Sequence, residues 1–248
     1  NVWLGGSMNS DSGVEIDVSG YGAKVLQLGL STGVKELAVT NSAIDMSAGS
    51  GLVATGASVN AIAVILDLTA ATSFATSIIA SNCSIRGGYS SAAGTVNLHI
   101  LNAANTLTAG TLTIADCAVA TATPVIQNGP VTFTGAVSST NVVISNLICG
   151  DINKAASACV HFMSTITGGS IDINGVSRAI SNNDYYGVHF HGAISGTSPL
   201  SIKGVALTLS ISGAAGTVVV DVVRFASTVA GSGAVGSVLN CSENSISG

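Results

Sequence analysis

The sequence predicts an all-β fold, a right-handed parallel β-helix of roughly eight irregular coils of about 28–40 residues each. Three observations carry that prediction. A strand-and-asparagine pattern recurs along the chain, a 28-residue internal match stands near its centre, and helix-forming residues are scarce.

The recurring pattern is an alternating apolar strand closed by Asn or Asp. It reads Ala38-Val39-Thr40-Asn41, Ile79-Ala80-Ser81-Asn82, Ile114-Ala115-Asp116, Ile144-Ser145-Asn146, Ile171-Asp172-Ile173-Asn174, Ile202-Lys203 and Val238-Leu239-Asn240. Its markers at 41, 82, 116, 146, 174, 203 and 240 lie 41, 34, 30, 28, 29 and 37 residues apart. One such unit has too few neighbours to bury its apolar face, whereas stacked units form a continuous core.

The central match is closer. Val160-His161-Phe162-Met163 returns as Val188-His189-Phe190-His191, and Ile166-Thr167-Gly168 returns as Ile194-Ser195-Gly196, both 28 residues on. Strands of successive coils then pair in parallel, about 4.8 Å apart, giving a cylinder of about 40 Å. Alternation points Val160 and Phe162 inward and His161 outward. A sandwich or jelly roll also gives short strands with turns between them, but the internal match favours the solenoid.

Composition agrees. Charged residues make up 8% of the 248, against about 25% in ordinary soluble domains. An exposed helix face has little to be built from, while the abundant Val, Ile and Thr favour strands. Only three Pro occur and no charge block or linker interrupts the chain. Residues 1–248 therefore read as a single β-helix domain, a segment or processed part of a longer chain.

The same composition excludes function classes. Asp67 interrupts the apolar run at 59–68, and Asp221 and Arg224 interrupt that at 218–226, so no stretch is long enough for a spanning helix. Aromatic residues are 4%, too few for the girdles of a membrane barrel. Seven scattered Lys and Arg in a chain of net charge -5 make no phosphate-neutralising patch, so no nucleic-acid partner is expected.

The drifting repeat with Asn at coil corners resembles the pectin-lyase-like class of parallel β-helices. Gly187-Val188-His189-Phe190, Ile144-Ser145-Asn146 and Asn82-Cys83-Ser84, set among Val, Ser, Gly and Ala, are most similar in texture to the trypanosomatid dispersed gene family of surface proteins. That resemblance implies a cell-surface location and a much longer parent chain.

Candidate sites are few. Asn41, Asn82, Asn146, Asn174 and Asn240 suit an inward asparagine ladder, since Asn tolerates the left-handed conformation of sharp corners. Asn82-Cys83-Ser84 and Asn240-Cys241-Ser242 are also formal glycosylation acceptors. His161, His189 and His191, with Asp184 nearby, are candidate ligands for zinc or copper, although a His ladder on an exposed or interface face is the favoured reading and no metal is expected. Cys149 and Cys159 flank a polar loop and suit a disulfide. Cys83 and Cys117 share a repeat position at a separation a disulfide also tolerates. Acids stand mostly one per coil, without the paired carboxylates of a glycosidase. An aligned Asp172–Lys203 pair reads as a cross-strand ion pair.

These features point to a non-enzymatic structural protein, extracellular or on a cell surface, self-associating into a filament, coat or adhesin. Expected partners are further copies of the chain or other segments of its parent, with glycans in addition. No cofactor is expected. The alternative is a carbohydrate-binding or polysaccharide-degrading protein on the same scaffold.

Overall fold

A computed structural model describes residues 15–17, 19–20, 22–28, 31–46, 51–54, 60–87, 89–91, 95–121, 129–150, 157–180, 185–196, 200–209, 220–230, 239–240 and 243–247. Its secondary structure is β throughout, with no helix among these residues. Neighbouring strands pair in parallel and come from successive coils, which is the wiring of a β-solenoid.

One wall is a seven-stranded sheet of Gly22–Leu28, Asn60–Leu68, Thr95–Ala103, Val131–Phe133, Ser157–Phe162, Tyr185–Phe190 and Val220–Phe225, each beside the next. The 28-residue match is real register: Val160 pairs with Val188, His161 with His189 and Phe162 with Phe190. These seven strands differ from the roughly eight coils expected. Coils are longer toward the ends, where Leu28 pairs with Leu68 and Phe190 with Phe225, so fewer fit.

The second sheet has fifteen strands and turns corners. Its strand Val137–Cys149 shows how. Val137 and Ser139 are buried, the phase slips, Val142 and Ile144 are buried, and beyond Asn146 the phase slips again to bury Leu147 and Cys149. A strand that changes inward phase must change direction, so this one segment lines more than one wall. A three-stranded sheet of Ser19–Gly20, Gly51–Ala54 and Tyr89–Ser91 adds a shorter face.

The corner after each central rung has one cause. Asn41, Asn82, Asp116, Asn146 and Glu243 have φ of 51°, 50°, 53°, 50° and 60°, and Gly175 and Gly204 hold the same row at 71° and 58°. A left-handed residue between two extended segments turns the chain, and Asn, Asp and Gly adopt it most cheaply. The first four sequence markers are these corners. At Asn174 and Lys203 the corner is the following glycine, and after Asn240 it is Glu243.

The interior is one apolar cluster running from Leu37 to Leu207. Ile114 packs between Ala80 and Ile144, and Ile173 between Ile144 and Ile202, in consecutive register. Phe133, Phe162, Phe190 and Phe225 stack face to face, with centroids 4.6, 5.0 and 5.0 Å apart. The register also corrects an expectation. Asp172 faces Ser201, and Lys203 faces Asn174, so the two charges stand two residues out of step. Among the described residues no helix is long and apolar enough to cross a membrane.

Candidate functional site

One residue before Leu68, Ala103 and the four stacked phenylalanines, the strands of the seven-stranded sheet carry an outward row. Asp67, Asn102, Thr132, His161, His189 and Arg224 follow one another in register. Outward does not mean exposed here. Asp67 and Thr132 are each 1% exposed, His161 8% and His189 5%, so the ladder expected on an exposed or interface face stands outside the wall with His161 and His189 covered.

Polar contacts run along this row. Asn102 donates from Nδ2 to Asp67 Oδ1 at 2.8 Å, and Thr132 Oγ1 donates to the Gly129 carbonyl at 3.0 Å. Buried His99 lies 2.9 Å through Nδ1 from the same carbonyl. A carbonyl only accepts, so His99 carries its proton on Nδ1.

The row ends in a cluster. The rings of His161 and His189 stack at 4.8 Å and 15°, and His191 meets His189 edge-on at 5.8 Å. Tyr186 tilts against His189 at 4.8 Å. The Arg224 guanidinium lies 4.8 Å over the Tyr186 ring and donates to its hydroxyl at 3.0 Å, while also pairing with Asp221 at 3.3 Å.

Burial sets the charge of this cluster. It is the main cause lowering His161 to about 4, with His189 and His191 adding repulsion. His189 is lowered to about 4 by burial first, then by His191 and Arg224, with Asp221 opposing. His99 is also lowered to about 4 by burial, against the Gly129 carbonyl and Asp67. At neutral pH all three are uncharged imidazoles. His161 Nε2 and both ring nitrogens of His189 are buried without a hydrogen-bond partner.

Chemically, His161 and His189 form a stack and not a chelate, with His191 edge-on to the second ring. Lone pairs lie in the imidazole plane, so two nearly parallel rings cannot aim at one ion at bonding distance. Among the described residues no group of three or more His, Cys, Asp or Glu is placed to hold a metal. Asp184 lies outside the described residues.

The asparagine ladder exists with different members and on the other side of the wall. Asn41, Asn82, Asp116 and Asn146 are exposed at the corner. Asn82 donates from Nδ2 to Asn41 Oδ1 at 2.6 Å, and Asn146 donates likewise to Asp116 Oδ1 at 2.9 Å. Asn174 pairs with Ser145 and Lys203, one position before the corner, and Asn240 pairs with Ser201. Neither belongs to the ladder, because Gly175 and Glu243 hold the left-handed positions. A left-handed residue throws its side chain outside the turn, hence the exposure. Of the two acceptor asparagines, Asn82 is therefore exposed and held by Asn41; the side chain of Asn240, like Cys241, lies outside the described residues.

The cysteines are free thiols at 83, 117, 149 and 159, all buried. Cys149 and Cys159, expected to suit a bridge, are free here, and burial is the main cause that raises Cys149. Both pack in the apolar cluster, so the pair fills the interior where a loop staple was expected.

Sequence reasoning missed Arg178. It occupies an inward row, between Cys149 and Leu207 in register, and is 2% exposed. Its Nη1 donates to the Tyr186 carbonyl at 3.0 Å, beneath the outer cluster. Only the register reveals it: Arg178 stands 29 residues after inward Cys149.

An open depression of about 280 Å³ lined by Thr108, Ser138, Ser139, Thr140 and Gly168 bears hydroxyls and no ionisable side chain. No family model, curated protein or solved structure matches the chain.

Proposed function

We propose that this is a non-enzymatic structural protein of the cell surface or extracellular space, which adds rungs end to end with further copies or with other segments of a parent chain. One observation carries the reading. The rung built from Val220–Phe225, Val229–Ala230, Leu239–Asn240 and Ser245–Ser247 is the last in each of its rows among the described residues. It leaves Val229 48% and Ile246 47% exposed, and Phe225 only partly buried at the end of the phenylalanine stack. Among the described residues these are edge strands, and an edge with apolar side chains is a template for the next strand. Head-to-tail addition on such an edge yields filaments when the rotation does not close. The sparse charge fits surfaces that are covered in an assembly, and kinship with pectin-lyase-like surface proteins belongs to the same reading.

Electron microscopy and light scattering across a concentration series test it. Rods that lengthen with concentration, in steps of one cylinder length, are the expected result. Monodisperse monomers at high concentration overturn it.

A second reading, binding of a polysaccharide, draws on the outer cluster. Its exposed members, Arg224 and His191, supply hydrogen-bonding groups that hydroxyl-rich ligands use, and Tyr186 holds Arg224 in place through its hydroxyl and ring. A glycan array with wild type and Tyr186→Ala separates the two readings, because an assembly surface alone gives no glycan signal that depends on Tyr186.

A further inference from the structure

The buried row just past the corner holds two thiols side by side. Ser81 pairs with Ala115 and Ser84 with Ala118, so Cys83 lies directly opposite Cys117 in the next coil. The Ala118 amide donates to the Cys83 carbonyl at 2.9 Å, which fixes the two backbones together at this point. Directly opposed residues of adjacent strands stand about 4.8 Å apart, inside the Cα range of a disulfide. Each side chain is 1% exposed. Backbone carbonyls enclose both sulfurs: those of Ser81 and Val39 lie 3.3 and 3.5 Å from Cys83 Sγ, and those of Ala115 and Ala80 lie 3.1 and 3.6 Å from Cys117 Sγ.

We propose that Cys83 and Cys117 are a redox pair, closed by peroxide into a disulfide that staples two adjacent coils beneath the asparagine ladder. Contact with Cys117 lowers Cys83, while the same contact and burial raise Cys117. Of the two thiols opposed in register, Cys83 is assigned the first attack, made from the thiolate that local opening of the corner exposes.

The chemistry balances with hydrogen peroxide as the oxidant. The Cys83 thiolate attacks one peroxide oxygen, the O–O bond breaks, and the departing hydroxide takes up the proton that Cys83 released, leaving as water. Cys83 is now a sulfenic acid. The Cys117 sulfur attacks the Cys83 sulfur, the S–O bond breaks, and the hydroxyl leaves as a second water with the Cys117 proton. Two thiols and one peroxide give one disulfide and two waters. Peroxide is small enough to enter during local opening of the corner, where a bulky disulfide reagent is not.

Cys149 and Cys159 differ in kind. They are ten residues apart in one coil, joined through Gly150, and no register opposes them. The 83–117 pair alone links successive coils through strands described on both sides.

The experiment treats the reduced full-length chain with hydrogen peroxide, blocks remaining thiols with N-ethylmaleimide in denaturant, and digests with trypsin. Cleavage after Lys35, Arg86 and Lys154 places Cys83 in fragment 36–86 and Cys117 in fragment 87–154. The expected product joins these two fragments, has the mass of their sum less two hydrogens plus one N-ethylmaleimide on Cys149, and separates on reduction. Fragment 87–154 also carries Cys149, so the link must persist in Cys149→Ser. Where that variant does not fold, tandem mass spectrometry of the wild-type crosslink locates the sulfur directly. Recovery of 36–86 unlinked, with Cys83 alkylated or oxidised to the sulfinic acid, overturns the proposal, as does linkage of Cys83 to Cys149, Cys159 or Cys241.

Discussion

The phenylalanine stack and the histidine stack occupy the same strands, one residue apart and on opposite faces. Phe162 and Phe190 lie 5.0 Å apart at 2°, and His161 and His189 lie 4.8 Å apart at 15°. Stacked coils therefore bring like onto like on both faces with the same regularity. The energetic outcomes differ. A buried phenyl ring removes apolar surface from water and leaves nothing unpaired. The buried imidazoles leave three ring nitrogens without partners, and an unsatisfied buried polar group costs about 1–3 kcal/mol. Register in a solenoid is indifferent to chemistry, whereas burial is not. The inner row holds the fold together, and the outer row is tolerated by it.

That comparison is tested most severely by truncating one member of each stack. Phe162→Ala removes a ring 1% exposed and packed between Phe133 and Phe190. A loss of about 3–5 kcal/mol is expected, read as a lower urea midpoint at unchanged m-value. His161→Ala, in the same strand and nearly as buried, is expected to cost less than half as much at neutral pH, because it also removes an orphaned nitrogen. Equal losses would mean that the outer stack is as structural as the inner one.

Acid sharpens the same contrast. His99, His161 and His189 have folded values of about 4 against an ordinary 6.5. Between these values the unfolded chain binds protons that the folded one refuses, so stability is full above about pH 6.5 and falls as the pH drops toward 4. The expected loss is on the order of a few kcal/mol by pH 4. It should shrink in His161→Gln/His189→Gln and persist in Phe225→Leu. Melting temperatures from pH 7.5 to 4 decide it; a profile equally steep in the histidine double variant would place the acid sensitivity elsewhere.

The inner row was legible in the sequence because alternation and the 28-residue offset act on every strand at once: Val160, Phe162, Val188 and Phe190 needed only parity. The corners were half legible. Asn41, Asn82, Asp116 and Asn146 announce a left-handed residue, but Gly175 and Gly204 do the same work without a side chain, so the pattern drew the eye one position early, to Asn174 and Lys203. Burial of the outer row was not legible. Parity puts His161 outside the wall and says nothing of what covers it, and Arg178 enters an inward row through a register that no composition reveals.

The smallest expected effects belong to that corner, and they distinguish side-chain bonding from backbone conformation as its cause. Gly175 sits at φ +71°, and a Cβ added there would come 2.9 Å from Asn146 Oδ1. Gly175→Ala must therefore adopt a left-handed conformation, costing about 1–2 kcal/mol, and displace the Asn146 amide that donates to Asp116 at 2.9 Å. Asn146→Gly makes the opposite exchange: the exposed hydrogen bond is lost while the backbone becomes easier to turn. A net change within a few tenths of a kcal/mol is expected, since Gly adopts this conformation freely and an exposed bond contributes little. Thermal melts of the two variants side by side make the measurement. If Asn146→Gly were the costlier change, the ladder's amide bonds would be holding the corner; if Gly175→Ala is, the corner is set by φ and the asparagines are there because they tolerate it.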